Sequence, residues 1–157
     1  MRHAGSMALC IDKITGSRER NPMGNCLKVG ILGAGNIAGS MAEALNELQK
    51  EGKACAYAVA SRSQEKALEF ARKWNITRAY SSYEELASDP EVDLIYIATP
   101  HSLHYEQAKL CMEHGKNVLV EKAFTANARQ AEELFAMAEE KKVFITEAIW
   151  TRYMQRM

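Results

Sequence analysis

The stretch of sequence that decides the fold is Leu27-Lys28-Val29-Gly30-Ile31-Leu32-Gly33-Ala34-Gly35-Asn36-Ile37-Ala38-Gly39. An apolar run ends in the spacing Gly33-x-Gly35-x-x-Ala38, and a helical pattern follows at once. This spacing is the dinucleotide fingerprint with alanine as its third small residue, and the strand-to-helix setting makes it a strong signal. Gly33 lets the chain turn sharply, Gly35 keeps side chains away from a pyrophosphate, and Ala38 lets the helix pack closely on the strand. The helix that begins at Asn36 and Ile37 then offers free N–H groups and a positive dipole end to phosphates. The motif alone leaves open a glycine-rich turn of a flavodoxin-like or nucleotide-free fold.

Strand and helix patterns alternate through the rest of the chain and predict an α/β fold, the doubly wound parallel sheet of Rossmann type. The predicted strands are 27–32, 54–60, 76–80, 93–98, 117–121 and 143–146, and the predicted helices are 36–51, 64–74, 83–87, 102–114 and 127–142. The fourth strand is apolar throughout, as a sheet covered on both faces requires. Ligands of such sheets bind at the carboxyl ends of the strands. Residues 1–26 show no sustained period, and we expect them to be a mobile leader.

Composition excludes several classes of partner. The 157 residues are enough for about one domain. Lysine plus arginine equals aspartate plus glutamate, 20 against 20, which argues against nucleic-acid and membrane partners. No apolar run approaches the ~20 residues that span a bilayer.

The cysteines favour a reducing compartment. The four cysteines form no C-x-x-C pair and no metal-ligand spacing, so we predict no metal site. Cys55 and Cys111 fall in apolar segments and are predicted to be reduced core residues, which fits a cytoplasmic protein.

The end of the second strand predicts the preferred cofactor. An NAD-selective site places an acid there for the ribose 2′-OH, but this chain has Ser61 and Arg62 instead. A guanidinium binds a 2′-phosphate in bidentate fashion, and the hydroxyl can donate to the same group. We therefore predict that NADP is preferred over NAD. The alternative is that Ser63 merely caps the next helix and Arg62 is a solvated charge.

Two later strand ends carry further candidate residues. The fourth strand ends in Thr99 and Pro100, and His101 and His104 then lie near the predicted nicotinamide position, although packed or solvated histidines are the alternative. The fifth strand ends in Glu121-Lys122. A lysine here can stabilise charge on a substrate oxygen as a hydride leaves, and can carry a proton. In the alternative, Lys122 is solvated and Glu121 is its surface partner.

Taken in order, these motifs resemble the N-terminal domain of the Gfo/Idh/MocA oxidoreductase family. The segments that carry the resemblance are Gly33-x-Gly35-x-x-Ala38, Ser61-Arg62, Tyr80-x-Ser82-Tyr83-Glu84-Glu85-Leu86, Thr99-Pro100-x-x-x-His104, Glu121-Lys122 and Glu147-Ala148-Ile149-Trp150-Thr151-Arg152-Tyr153. The resemblance implies an NADP-dependent dehydrogenase that acts on a vicinal diol or a sugar hydroxyl. It makes Lys122 the catalytic residue, and it places Trp150 and Arg152 beside the cofactor, where the first domain joins the second.

The chain departs from the family pattern in two ways. The family motif is Glu-Lys-Pro, whereas Ala123 follows Lys122 here. A cis bond before a residue other than proline costs about 2.5–4 kcal/mol, so we predict a trans bond and a displaced lysine or weakened activity. The resemblance also implies a C-terminal α+β substrate domain, which we expect to be absent from this chain. We therefore expect a dinucleotide-binding domain over 27–150 and the truncated start of the second domain over 151–157. The uncovered end of the sheet is an expected surface for homo-oligomers.

Two other functions compete with the dehydrogenase. One is a non-catalytic module that binds a dinucleotide or another protein, which the missing proline and missing domain favour. The other is a methyltransferase, whose second strand should end in an acid that binds the ribose. Ala60-Ser61-Arg62 supplies no such acid.

Overall fold

A computed structural model describes residues 26–149 of the chain, in which six strands alternate with five helices. The strands are β1 (Leu27–Leu32), β2 (Ala54–Ala60), β3 (Arg78–Tyr80), β4 (Leu94–Ile97), β5 (Asn117–Val120) and β6 (Ile145–Glu147). The helices are α1 (Asn36–Lys50), α2 (Gln64–Trp74), α3 (Tyr83–Ser88), α4 (His104–Glu113) and α5 (Ala128–Lys141). A single 3-10 turn, His101–Leu103, precedes α4.

The strands form one parallel sheet in the order β3-β2-β1-β4-β5-β6, which confirms the predicted doubly wound fold. From β1 the chain builds outward to β2 and β3, and it then returns to build β4, β5 and β6 on the other side. The order therefore reverses between β1 and β4. In open α/β sheets this reversal leaves a crevice at the carboxyl ends of the two strands, where ligands bind.

Apolar side chains cover both faces of the sheet. Alternate residues of β4 point to opposite faces, so Tyr96 packs with the buried residues of α1 and α2, whereas Ile97 packs with those of α3, α4 and α5. Both residues are at most 1% exposed. This arrangement explains why β4 is apolar throughout, as the sequence predicted.

Local signals fixed most element ends. Ser82 and Glu85 form a capping box at α3, and the side chain of Asn127 caps α5. Strands β3, β4 and β6 begin later than predicted, β4 by one residue and the other two by two residues. At β3 and β6 the reason is that the preceding helices extend their hydrogen bonding. Asn75 ends α2 in a left-handed conformation and the N–H of Ile76 bonds back to Ala71. The N–H of Val143 bonds in the same way to Ala138 at the end of α5.

Several predictions concern residues outside the described range. The proposed leader lies almost wholly there, as do Trp150, Arg152 and the rest of segment 151–157. Among residues 26–149, no helix is long and apolar enough to cross a membrane. Within the same residues, no cluster of metal-ligating side chains occurs.

Candidate cofactor-binding site

The carboxyl ends of neighbouring strands lie level with one another. The N–H of Gly33 after β1 donates to Ala60 on β2 (2.9 Å), and the N–H of Ala98 after β4 donates to Leu32 on β1 (2.8 Å). The N–H of Glu121 after β5 donates likewise to Ile97 (3.0 Å). The three candidate loops after β1, β4 and β5 therefore begin side by side at one edge of the sheet.

The turn after β1 has the geometry that the glycine motif predicts. Gly33 adopts φ +105°, and a Cβ there would lie 2.9 Å from the carbonyl oxygen of Ala98. A residue with a side chain would therefore be both strained and crowded at this position. Gly35 differs, because a Cβ on it would meet no atom within 4 Å. The space in front of the helix is open, and only glycine leaves it fully open to a ligand.

The amino terminus of α1 is free to bind an anion. Gly35 is the N-cap residue, and no described side chain caps the helix. The first N–H groups of a helix have no intrahelical partner, and Asn36 and Ile37, which carry two of them, are exposed. Ala38 is fully buried in the core on the face of the sheet that α1 covers, as the motif requires. Free N–H groups, a positive dipole end and open space together fit a diphosphate.

Ser61 and Arg62 follow β2 beside this turn. The Oγ of Ser61 accepts a hydrogen bond from the N–H of Ser63 (3.4 Å), and Ser63 caps α2 through the N–H of Lys66 (3.3 Å). Arg62 is exposed, and its guanidinium makes no hydrogen bond or ion pair with any residue from 26 to 149. The alternative interpretation was therefore right about the cap at Ser63. The cap at Ser63 leaves the five guanidinium donors of Arg62 available, so Arg62 can still bind a phosphate.

The loop after β4 contains one exposed and one buried histidine. Pro100 and His101 are exposed at the 3-10 turn. His104 is 1% exposed, and its Nε2 and Nδ1 atoms lie 2.9 Å from the carbonyl oxygen of Thr99 and 2.8 Å from that of Ala123. The ring of His104 therefore connects the β4 and β5 loops and is not open to a ligand. The Oγ1 of Thr99 bonds to Gln107.

Glu121 does not pair with the lysine beside it. One carboxylate oxygen of Glu121 accepts the hydroxyl of Tyr96, and the other accepts the backbone N–H of Lys122 (3.2 Å). The side chain of Lys122 is exposed and forms no ion pair with the residues that the structure describes. The alternative is therefore right that Lys122 is exposed to solvent and wrong that Glu121 is its ion-pair partner. The carboxylate is engaged elsewhere, and the ammonium stays available at the end of β5.

The peptide bond between Lys122 and Ala123 is cis, so the expectation of a trans bond was wrong. Two side chains contact the peptide unit that follows it. His104 contacts the carbonyl of Ala123, and the N–H of Phe124 donates to the carboxylate of Glu147 (2.8 Å). These contacts from α4 and β6 are long-range in sequence, which is why the local cost of a cis bond did not predict the outcome.

Sequence reasoning did not identify three residues that shape this edge: Tyr96, Gln107 and Glu147. The apolar pattern of β4 does not distinguish Tyr96 from its neighbours, although a buried tyrosine hydroxyl needs a partner. Gln107 is only 6% exposed on α4, and such a buried polar residue was the available signal. Glu147 follows the last predicted strand at the same edge of the sheet.

The strand order and the glycine turn define the class of this molecule, a dinucleotide-binding Rossmann domain. Comparison with known families identifies the family within this class. The family model described as "Oxidoreductase family, NAD-binding Rossmann fold" matches residues 27–148. The chain belongs to this family, the Gfo/Idh/MocA oxidoreductases.

Curated relatives agree with the family. The chain is 44% identical over 131 residues to a trans-1,2-dihydrobenzene-1,2-diol dehydrogenase of Mus musculus, which covers 83% of this chain and 39% of that protein. It is 41% identical over 136 residues to the D-xylose 1-dehydrogenase (NADP(+)) of Hypocrea jecorina, covering 81% of this chain and 35% of that protein. The chain thus spans between a third and two fifths of the length of these relatives.

Solved structures share the fold. An NAD-binding oxidoreductase of Klebsiella pneumoniae superposes with a TM-score of 0.73 at 31% identity, covering 78% of this chain and 34% of that one. A 3-ketoreductase of Actinomadura kijaniata in complex with NADP and TDP-benzene superposes with a TM-score of 0.71 at 33% identity, covering 79% of this chain and 37% of that one.

Proposed function

We propose that this chain is the NADP-binding domain of a dehydrogenase that transfers a hydride between a diol or sugar hydroxyl and the nicotinamide. The observation that carries the proposal is the open space at Gly35 in front of the uncapped α1. The family supports a nicotinamide dinucleotide in general, and the relatives named above include an NADP-dependent sugar dehydrogenase.

Arg62 supports the preference for NADP. Its guanidinium is exposed and unpaired within residues 26–149, and it follows the strand next to the glycine turn. No acid stands at that strand end to select an unphosphorylated ribose. In the proposed complex the N–H groups of α1 bind the diphosphate, while Ser61 and Arg62 bind the 2′-phosphate.

Lys122 is the proposed catalytic residue. The bound cofactor supplies the hydride acceptor or donor. Lys122 lies at the end of β5, two strands from the glycine turn, with its ammonium free of any described ion pair. It hydrogen-bonds the reacting oxygen of the substrate and stabilises its charge. Glu121, whose carboxylate is fixed by Tyr96, shapes the loop from which Lys122 projects.

Titration with NADPH and NADH, followed by nicotinamide fluorescence, tests the cofactor assignment. We expect R62A to weaken NADPH binding by about 10–100-fold, the effect of losing a charge-assisted bidentate contact, with little change for NADH. R72A is the matched control, because Arg72 is exposed on α2 and has no described ion pair. If R62A weakened the binding of NADPH and NADH equally, the proposed preference for NADP would be contradicted.

A second variant tests the diphosphate site. G35V should fold, because its backbone conformation (φ −96°) suits any residue and its side chain meets open space. It should lose both cofactors. Normal binding by a folded G35V would refute the proposed site.

Turnover separates the dehydrogenase from a non-catalytic module. The assay follows NADPH formation with D-xylose and with trans-1,2-dihydrobenzene-1,2-diol as substrates. We expect K122M to abolish turnover and to retain NADPH binding. Binding without any turnover in the unmodified chain would instead favour the binding module.

A further inference from the structure

Two cysteines meet at the base of the first βαβ unit, at the edge of the sheet opposite the proposed cofactor site. Cys26 immediately precedes β1, and Cys55 is the second residue of β2. Lys28 is the register partner of Cys55. Because side chains alternate along a strand, Cys26 and Lys28 face the same side of the sheet as Cys55.

The two thiols are in direct contact. The Sγ of Cys26 donates to the Sγ of Cys55 across 2.8 Å, and both cysteines are free. A disulfide bond is about 2.05 Å long, so the sulfur atoms need to move together by less than about 1 Å. The parallel pairing of β1 and β2 holds the two residues at this separation despite the 29 positions between them in the sequence.

We propose that Cys26 and Cys55 form an intramolecular disulfide when the protein meets a peroxide. The sulfur of Cys26 attacks hydrogen peroxide, the O–O bond breaks, and a sulfenic acid and one water molecule form. The sulfur of Cys55 then attacks the sulfenic sulfur, the S–O bond breaks, and the hydroxyl leaves as a second water with the thiol proton. Two thiols are oxidised by two electrons in all, and the peroxide is reduced to two water molecules.

Exposure sets the order of the two steps. Cys26 is half-buried and meets the oxidant first, whereas Cys55 is 8% exposed and acts as the resolving thiol. Burial and the contact with Cys26 raise the pKa of the Cys55 thiol to about 12, Asp93 adds to this, and Lys28 opposes it. The raised pKa slows the second step at neutral pH, because little Cys55 thiolate is present.

Cys111 is the internal control for this chemistry. It is fully buried on α4, and burial raises the pKa of its thiol to about 12. No other cysteine among residues 26–149 touches it. It shares burial with Cys55 but lacks a sulfur partner, so we expect it to remain reduced.

The disulfide would close a loop that contains β1, the glycine turn and α1. Closing a loop of this length restricts the unfolded chain and should raise the melting temperature by about 5–10 °C. The bond lies at the amino-terminal ends of the strands, so NADPH binding should be unchanged. The proposal does not depend on the proposed function, and its failure would leave that function intact.

The test is mass spectrometry of the protein treated with hydrogen peroxide and then alkylated. We expect the tryptic fragments 21–28 and 54–62 to be joined, with loss of two alkylation sites, and dithiothreitol to separate them. C26S and C55S should not form the link, whereas C111S should form it normally. The variant C10S removes the fourth cysteine as a competing partner and should also form it.

The unmodified chain by itself distinguishes the outcomes, so the test does not require the cysteine variants to fold normally. The joined fragments in the unmodified chain and in C10S support the proposal, as does a higher melting temperature that dithiothreitol reverses. Full alkylation of both Cys26 and Cys55 after peroxide overturns it. A link from Cys26 to Cys10 in place of Cys55 overturns it equally.

Discussion

The hydroxyl of Tyr96 donates a hydrogen bond to the carboxylate of Glu121. Tyr96 is 1% exposed in the middle of β4, whereas Glu121 stands at the end of the neighbouring strand β5. Burial, together with the bond to this carboxylate, raises the pKa of Tyr96. The second oxygen of Glu121 accepts from the backbone N–H of Lys122, so each carboxylate oxygen has a donor and neither is paired with the lysine ammonium.

Replacing Tyr96 with phenylalanine tests this relationship. Y96F removes one donor from a charged acceptor, so the free energy of unfolding should fall by about 1–2 kcal/mol. Urea denaturation followed by circular dichroism measures the change. Y57F is the matched control, because the Tyr57 hydroxyl forms no hydrogen bond with a described residue, and its stability should change by less than about 0.5 kcal/mol. Equal losses in the two variants would contradict the assigned role.

His104 should matter for stability far more than His101. The ring of His104 fills a buried site and contacts two backbone carbonyls, whereas His101 is exposed. H104A removes a buried ring and its contacts with two carbonyls, and it should cost about 2–4 kcal/mol of unfolding free energy. H101A should stay within about 0.5 kcal/mol of the unmodified chain in the same urea experiment. A stable H104A would mean that the β4 and β5 loops do not depend on this bridge.

Asp89 should make stability depend on acid pH. Its carboxylate is 4% exposed and accepts from the Tyr80 hydroxyl (2.8 Å), the Arg78 guanidinium (3.3 Å) and the Glu91 N–H (3.0 Å). Burial alone would raise the pKa of Asp89, but these donors and the charge of Lys116 lower it below the ordinary 3.8.

The sign of the effect follows from proton binding. Since the unfolded chain binds the proton more tightly, the contribution of Asp89 is complete above about pH 5 and is lost as pH falls through the lowered folded pKa. D89N should therefore lose about 1–3 kcal/mol at neutral pH, and its urea midpoint should vary less with pH under acid conditions. E69Q, at an exposed position of α2, should keep the pH profile of the unmodified chain. A D89N profile as steep as the original would exclude Asp89 as the titrating group.

The two glycines of the turn should respond differently to alanine. G33A forces a side chain into a positive φ and against the Ala98 carbonyl, so we expect a loss of about 2 kcal/mol or more. G35A places its methyl group in open space and should cost less than about 1 kcal/mol, the usual effect at an N-cap. Thermal unfolding of both variants measures the difference. Similar losses would show that Gly35 is also a structural requirement.

The fold could be predicted from the sequence because the signals that determine strands and helices act between residues close together in the chain. The bounds of β1, β2 and α2 are those predicted, and capping side chains at Ser82 and Asn127 mark the starts of α3 and α5. Residue patterns of period 2 or 3.6 and short-range capping bonds carry this information. The predictions were weaker where a helix end continued into a turn, as at Ile76 and Val143, because the left-handed residues there are Asn75 and Lys142 rather than glycines.

The candidate site was predicted only in part. The sequence placed the glycine turn, Arg62 and Lys122 at one edge, since parallel strands bring their carboxyl ends together. It could not show that Glu121 bonds to Tyr96, that His104 bridges two loops, or that Glu147 fixes the loop after Lys122. Each of these contacts joins residues from different strands or helices.

The sequence by itself thus determined the order of strands and helices, the glycine turn and the family, because these depend on spacing along the chain. Only the tertiary structure decided how charges and polar groups are paired. The buried Lys116, whose Nζ donates to the carbonyls of Asp89 (2.6 Å) and Val92 (2.9 Å), shows the reason. A buried polar group takes whichever partner the packed elements bring within about 3 Å, and that partner lies 24 or more residues away in the sequence.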